Sequence, residues 1–430
     1  MKQPLIFAAV CLSVTLLTAC GEEDTYVQHG PNPELPEPSR GLLPNMTIAE
    51  PVPWGNQTPT VPESYTITAI ATDLQIPRRS LVLPNGDILV AEGRGGNAPA
   101  TKPKHIIAGY IKSQGGSSVE SGNRLTLLRD ADGDGTYEMQ TVFADDLNAP
   151  YGLALVDNYL YVANQDALVR FDYSEGDTQA SAPPAEITKL PSVINHHWTK
   201  ALTASADGRF LYVGIGSNSN ITERGMIAEV DRAMIWEIDA ETGAHRPYAT
   251  GLRNPTALTI QPETDQLWAA VNERDELGPH LVPDYITAVL ENGFYGWPYS
   301  YWGQHVDERV RPQDPEKVAS AIAPDYALGS HVAALGIDFS SPAMGNEFAE
   351  GMFVAEHGSW NRPDLAGYKV VFVAFNNGRP VGEPVDFVSG FLNNDGEARG
   401  RPVGVTVDPR GALIITDDLS NTVWRVTPSN

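Results

Sequence analysis

The sequence predicts an all-β protein, a six-bladed β-propeller with long inter-strand loops. Three observations carry that expectation. A unit of strand, polar turn and strand recurs six times. The apolar segments are short. Glycine (39) and proline (34) are abundant enough in 430 residues to serve many turns.

The first copy of the unit spans 81–92 and turns at Asn85-Gly86. The second spans 153–164, and the third spans 202–215 with its turn at Asp207-Gly208. The fourth, 258–272, turns at 262–265; the fifth, 337–358, has a longer connection; the sixth, 405–418, turns at Arg410-Gly411. Short apolar runs flanking Asn-Gly, Asp-Gly and Arg-Gly are hairpin signals. Further strands are expected after most copies, as at 167–171, 233–238 and 422–426. A small sheet cannot bury both its faces alone, so six such units stack most simply as the blades of a closed ring. A seven-bladed ring is the next architecture, and a pair of β-sandwiches the third. Long insertions are expected at about 93–120, 172–198, 217–232, 273–296 and 300–330. Propeller loops surround a central channel, and loops on a rigid scaffold carry sites.

The N-terminus reads as an address. Lys2 is followed by an apolar run over 5–18, too short to span a bilayer and right for a signal-peptide core. It ends in Leu16-Leu17-Thr18-Ala19-Cys20-Gly21, which resembles the lipobox of bacterial lipoproteins. That likeness implies a signal peptide over 1–19 and acylation of Cys20. It also implies a periplasm-facing protein, with the outer membrane as default because Gly21 is not aspartate. An ordinary signal peptide containing a cysteine is the other reading. The two cysteines are Cys11 and Cys20, and Cys11 leaves with the signal, so no intrachain disulfide is expected. Residues 20–64 are rich in proline and read as a lipid-anchored tether, with 51–62 able to pack on the body. The propeller domain is expected over 65–430. The formal net charge of −25 repels phosphate backbones and excludes nucleic acid as a partner.

Several clusters carry chemistry. Asp130, Asp132, Asp134 and Glu138 alternate with glycines and can fold around one hard cation, calcium being the natural choice. Thr141 stands where an EF-hand loop needs an acid, so a structural site capping a hairpin is expected. A solvated acidic turn is the alternative. Next comes Asn195-His196-His197-Trp198-Thr199-Lys200. Histidine titrates near neutrality and can act as a general base. On a strand, adjacent histidines point to opposite faces, so one at most faces the channel. Arg253 and Asn254 precede the fourth unit, Asp284 and the block Gly293-Phe294-Tyr295-Gly296-Trp297-Pro298 follow it, and Glu356-His357-Gly358-Ser359-Trp360-Asn361-Arg362 ends the fifth. Arg399 and Arg401 precede the sixth. Arginines converging on a channel in an acidic protein suit a polyanionic ligand. Inter-blade salt bridges are the competing use, and Tyr295, Trp297 and Trp360 can equally be core aromatics.

The segments Arg253-Asn254-Pro255, 284–298 and Arg399-Gly400-Arg401 resemble the soluble pyrroloquinoline-quinone glucose dehydrogenases and their aldose dehydrogenase relatives. The stretches 271–278 and 356–362 are similar to the sorbosone dehydrogenase-like branch. The likeness covers most of 65–428. It implies an oxidoreductase that oxidises a sugar or sugar aldehyde by hydride transfer to bound pyrroloquinoline quinone, with calcium as second cofactor. His197 would be the base. Arg253 would polarise a quinone carbonyl with Asn254 beside it. Arg399 and Arg401 would meet the cofactor carboxylates, with Trp360 and Arg362 nearby. Carbonyls of Asn272, Glu273 and Arg274 would hold calcium, supported by Asp284. His331 and His357 are secondary candidates. Two positions depart from the pattern: Ser217 stands where the glucose enzymes place an acid behind the histidine, and Gly358 where they place a lysine. A non-enzymatic binding propeller and a calcium-dependent lactonase or hydrolase are the alternative functions, since fold does not fix function.

Overall fold

The computed structural model describes residues 27–39, 46–96, 98–101 and 113–429. The expected signal peptide and Cys20 lie outside the described residues. Six antiparallel sheets form the blades. Blade 1 is Pro77–Val82, Ile88–Glu92, Arg124–Arg129 and Met139–Ala144. Blade 2 is Gly152–Val156, Tyr159–Ala163, Ala167–Asp172 and Ala185–Lys189. Blade 3 is Leu202–Ala204, Phe210–Ile215, Met234–Asp239 and His245–Thr250. Blade 4 is Pro255–Ile260, Leu267–Val271, Pro283–Ala288 and Tyr326–Ser330. Blade 5 is Ala334–Phe339, Gly351–Glu356, Lys369–Asn376 and Val385–Val388. Blade 6 is Pro402–Val407, Leu413–Asp417, Thr422–Pro428 and, as its outer strand, Tyr65–Ala71. Each recurring unit in the sequence is the inner pair of strands of one blade.

The core lies between blades, with one apolar cluster for each neighbouring pair. Leu89 and Leu127 meet Leu160 and Val162 between blades 1 and 2. Ala154 and Tyr161 meet Leu211 and Trp236 between 2 and 3. Tyr212 and Ile235 meet Leu258 and Ala269 between 3 and 4. Trp268 and Ile286 meet Ile337 and Val354 between 4 and 5. Phe353 and Phe372 meet Ile415 and Trp424 between 5 and 6. Ile414 and Val423 meet Ile88 and Val90, which closes the ring between 6 and 1. Side chains that alternate above and below each sheet therefore bury on both faces, the burial that a lone sheet lacks.

Three stretches expected to be insertions contain strands. Ala185–Lys189 edges blade 2, while Pro283–Ala288 and Tyr326–Ser330 complete blade 4. The last two are separated by a short ribbon, Ser300–Tyr301 with His305–Val306, and by the helix Pro315–Ser320, which Asp314 caps. That excursion breaks the repeat spacing and hid both strands. Described residues of the proline-rich stretch, 51–62 among them, pack on the body. His29–Gly30 adds an edge strand to blade 4, pairing with Leu328 and Ala327. Pro51 bridges Ala398 and Thr60 bridges Ser389. The Trp54 ring packs edge-on against Phe391 at 5.6 Å and Trp424 at 5.4 Å.

In each blade the first strand begins where the second ends, because the sheet is antiparallel. Loops joining strands two and three, and loops joining blades, therefore emerge on one face. His197, Ser217, Arg253, Asn254, 272–275, 331–333, 357–362, Arg399 and Arg401 all lie on that face. The acidic turn at 130–138 joins strands three and four of blade 1 and lies on the opposite face.

Candidate active site

The channel has a floor. Tyr151 enters from the start of blade 2 and is fully buried. Its hydroxyl is 3.1 Å from the carbonyls of Thr256 and Leu335, on the inner strands of blades 4 and 5. The side chain thus crosses the ring and stops the channel below its mouth. The Trp198 indole stands edge-on above it at 5.7 Å, and the Arg78 guanidinium lies 5.1 Å from that indole.

His197 sits beside this stack. Asn195 to Trp198 form a loop rather than a strand, and the His196 and His197 rings touch edge-on at 4.7 Å. The expected alternation of the two rings therefore does not apply; His196 is nevertheless the exposed one. Gly216 packs against His197 and Asn254 so tightly that a Cβ there would come within 2.5 Å of the His197 Cβ. His197 Nδ1 is 2.8 Å from Ser217 O and 3.0 Å from Ser217 Oγ. Nε2 has no partner among the described residues. Two buried cations hold the loop. Arg232 donates to the carbonyls of His197 (3.3 Å) and Gly216 (3.1 Å), and Lys200 donates to the Trp198 carbonyl at 2.8 Å. Burial pushes the His197 pKa well below 6.5, and the neighbouring Arg253 and His196 push the same way. The ring is neutral at physiological pH.

Arg253 is buried, and its donors are fully engaged. It reaches Asn272 O (3.2 Å), Glu273 O (2.7 Å), Asn220 O (3.2 Å) and Asn220 Oδ1 (2.9 Å), with Asp275 at 3.5 Å. Two carbonyls expected to face calcium therefore already accept from a guanidinium. Beneath them Asp284 is buried, accepting from the backbone N–H of Glu273 at 2.7 Å and of Ala333 at 2.8 Å. Burial raises its pKa to about 7, against the pull of those hydrogen bonds and of Arg253. Glu273 Oε1 is buried without a hydrogen-bond partner. The Arg274 side chain points elsewhere, to Glu273, Asp307 and the carbonyls of Pro298 and Ser300.

The far side of the mouth comes from blades 5 and 6. Arg401 donates to His357 O at 3.1 Å and Gly358 O at 2.9 Å, with its guanidinium 5.3 Å from the Tyr368 ring. Gly358 has φ +108°, and a Cβ there would overlap Tyr368, so no lysine can stand at that position. His357 Nε2 is 2.9 Å from Asp418, which also pairs with Arg78. Burial drives the His357 pKa down to about 4, and Arg401 adds to the fall. Arg362 donates to Ser330 O at 3.0 Å, and Trp360 is half-buried. Asn361 joins Asp275 at 2.6 Å and His331 at 3.0 Å. Arg399 departs from its neighbours: its guanidinium lies 6.0 Å from the Trp54 ring, in a recess of about 410 Å³ over blade 6.

His197, Arg253, Asn254, Asn272, Glu273 and Asp284 thus form one connected wall, Arg401 and Arg362 stand on blades 5 and 6, and Arg399 lies apart. Tyr151, Arg78, Asp275 and Asp418 escaped the sequence reading. Among the described residues, Arg362, Arg399 and Arg401 have no carboxylate within 4 Å. On the opposite face, the ligand atoms of Asp130, Asp132, Asp134 and Glu138 lie within 4.8 Å of one another.

These features define a six-bladed propeller with a floored channel and with His197, Arg362 and Arg401 at its mouth. The TrAA12-like family model matches residues 59–283 and 303–429, and the chain belongs to that family. It is 28% identical over 295 residues to an uncharacterized protein of Borreliella burgdorferi, covering 66% of this chain and 76% of that one. The fold is shared with the holo form of the pyranose dehydrogenase PQQ domain from Coprinopsis cinerea (TM-score 0.69, 20% identity, 86% of this chain and 97% of that one). It is also shared with the calcium structure of a Trichoderma reesei carbohydrate-active enzyme of family AA12 (0.70, 18%, 90% and 99%). The soluble aldose sugar dehydrogenase of Escherichia coli in its apo form has the same fold (0.57, 14%, 85% and 100%).

Proposed function

We propose that this chain is a quinoprotein oxidoreductase that oxidises a sugar or sugar aldehyde, as sorbosone and aldose dehydrogenases do, using pyrroloquinoline quinone and calcium. One observation carries the reading: Arg362 and Arg401, without carboxylate partners among the described residues, stand at a mouth where His197 Nε2 has no partner among those residues. In a chain of net charge −25, unpaired guanidiniums suit a carboxylated ligand. The residues fit the cofactor pair. Arg401 and Arg362 would hold carboxylates, with Trp360 alongside and Arg399 at the margin. Asn254 would face a quinone carbonyl, with the charge of Arg253, whose donors are engaged by the protein, polarising it from beside. The buried Asp284 and Glu273 Oε1, the latter without a hydrogen-bond partner among the described residues, suit a hard cation, which would draw the Asp284 pKa down from about 7; the carbonyls of Asn272 and Glu273 could join only by giving up Arg253. Held there, the cofactor pair would supply a two-electron hydride acceptor for the sugar carbon and a Lewis acid beside it. His197 Nε2 takes the hydroxyl proton. Tyr151 and Trp198 close the mouth from below and exclude water from that side.

The test is reconstitution. Purified protein is loaded with quinone and calcium and offered aldoses, ketoses and sugar aldehydes with an artificial electron acceptor. Turnover of at least one sugar is expected. His197→Gln should lower it by ~10²–10⁴-fold with quinone loading close to wild type, and Arg401→Ala should weaken loading first. No dye reduction despite confirmed loading would leave a binding propeller; lactone turnover without quinone would leave a hydrolase. The same reading includes export, with a signal peptide over 1–19, anchoring through Cys20 and a periplasm-facing body, by default at the outer membrane.

A further inference from the structure

We propose that Ser217 is the positioning residue for His197: its carbonyl and hydroxyl fix the ring with Nδ1 protonated and Nε2 as the proton acceptor, and place no negative charge behind it. This rests on reading His197 as the base. The argument is one of hydrogen counting. Ser217 is fully buried, and its hydroxyl donates to Ser219 O at 2.6 Å. A hydroxyl has one hydrogen, so Ser217 Oγ can only accept from the ring. Ser217 O, 2.8 Å from Nδ1, can only accept as well. Both neighbours of Nδ1 are acceptors, so Nδ1 carries the hydrogen and Nε2 the lone pair. Ser217 is itself held from blade 4, its N–H donating to Arg253 O at 2.8 Å, and the His197 N–H lies 3.3 Å from Ser217 O. The clamp thus joins the base to the arginine expected to polarise the acceptor.

The missing charge has a consequence. A carboxylate behind an imidazole orients it and also stabilises the imidazolium. Ser217 does the first without the second. Arg253, Arg232 and His196 face the ring and disfavour its protonation. Lys200 lies below, tied to Asn195 and Trp198. The nearby acids accept from backbone rather than from the ring: Glu229 Oε2 from Asn218 N–H at 2.7 Å, its Oε1 having no hydrogen-bond partner among the described residues, and Glu223 from the N–H groups of Asn220 (2.9 Å) and Ile221 (2.8 Å). These groups therefore hold the base toward its neutral form, whereas a carboxylate behind it would favour the imidazolium.

The experiment uses the full chain labelled with ¹⁵N-histidine, without cofactor, and assigns His197 by its loss in His197→Gln. Wild type should show one tautomer, Nδ1–H. Ser217→Ala keeps the backbone carbonyl and should keep that tautomer with a weakened Nδ1–H hydrogen bond, read as a shifted Nδ1–H resonance; Ser217→Thr should restore the wild-type resonance, and Ser217→Asp should raise the titration midpoint by about a unit or more. In the loaded enzyme Ser217→Ala should lower kcat up to about tenfold with KM near wild type. Ser217→Asp should move the acid limb of the pH–rate profile upward. A wild-type ring with Nε2–H, or an Nδ1–H resonance unchanged in Ser217→Ala together with an unchanged midpoint in Ser217→Asp, overturns the proposal. If the ring responds as expected while wild type oxidises no sugar, the positioning stands and the sugar-oxidising reading falls.

Discussion

Glu356 closes the second strand of blade 5, opposite Lys369 in the register, with its side chain enclosed. Burial pushes its pKa up to about 8; Lys369 pulls it down, and Asp386 and Asp284 add to the rise. A carboxyl whose folded pKa exceeds its unfolded value favours the fold at low pH. That stability is fully present below the ordinary value of 4.5 and is lost as pH rises through about 8. Glu356→Gln removes the titration. Its melting temperature relative to wild type should therefore climb between pH 5 and pH 9, and an offset that is the same at both values would refute the assignment. Residues of this kind were partly legible. Arg253, Asn254 and His197 stand in short contiguous motifs, and the structure brings them together. Arg78 and Asp418 meet only because the ring closes, and no local pattern announces a pair so distant in the chain. Tyr151 has the same character: its hydroxyl finds two carbonyls on blades that follow much later.

At the scale of the element, the turn at 130–138 shows how backbone geometry gathers like charges. Asp130 accepts from the N–H groups of Gly133 (2.7 Å) and Gly135 (2.9 Å), Asp134 from Thr136 (2.7 Å), and Glu138 from Ala131 (3.0 Å). These bonds hold four carboxylates close together, and a divalent ion relieves their repulsion. Replacing Asp132 and Asp134 by Asn should lower the melting temperature in calcium and change little in chelator. Equal melting of variant and wild type in calcium would leave a solvated turn. Because the turn lies away from the mouth, sugar turnover by the variant should match wild type below its melting range. The inner hairpins were readable for the same local reason, since a turn signal and two apolar runs fit within about twelve residues. Pro283–Ala288 was not, because six consecutive buried residues show no alternation and the partner strand Tyr326–Ser330 lies beyond an excursion.

For the whole molecule, the ring and its address are separate questions. The described part of 20–64 runs along blades 4, 5 and 6 before the outer strand begins, so any span left for a tether lies nearer Cys20. Cys20→Ala should move the protein from the membrane fraction to the soluble one with an unchanged fold by circular dichroism. Persistence in the membrane fraction would refute the lipid anchor. The ring itself is latched by its two ends: Tyr65–Ala71 lies beside Thr422–Pro428, Tyr65 opposite Pro428. Tyr65–Ala71 thus finds its neighbour only after more than three hundred further residues, on the order of tens of seconds later at ordinary rates of synthesis. Until then the growing product is an open arc with two raw edges. Durability of the ring therefore rests on one seam between strands remote in the chain, and no lock exists until Thr422–Pro428 has been made.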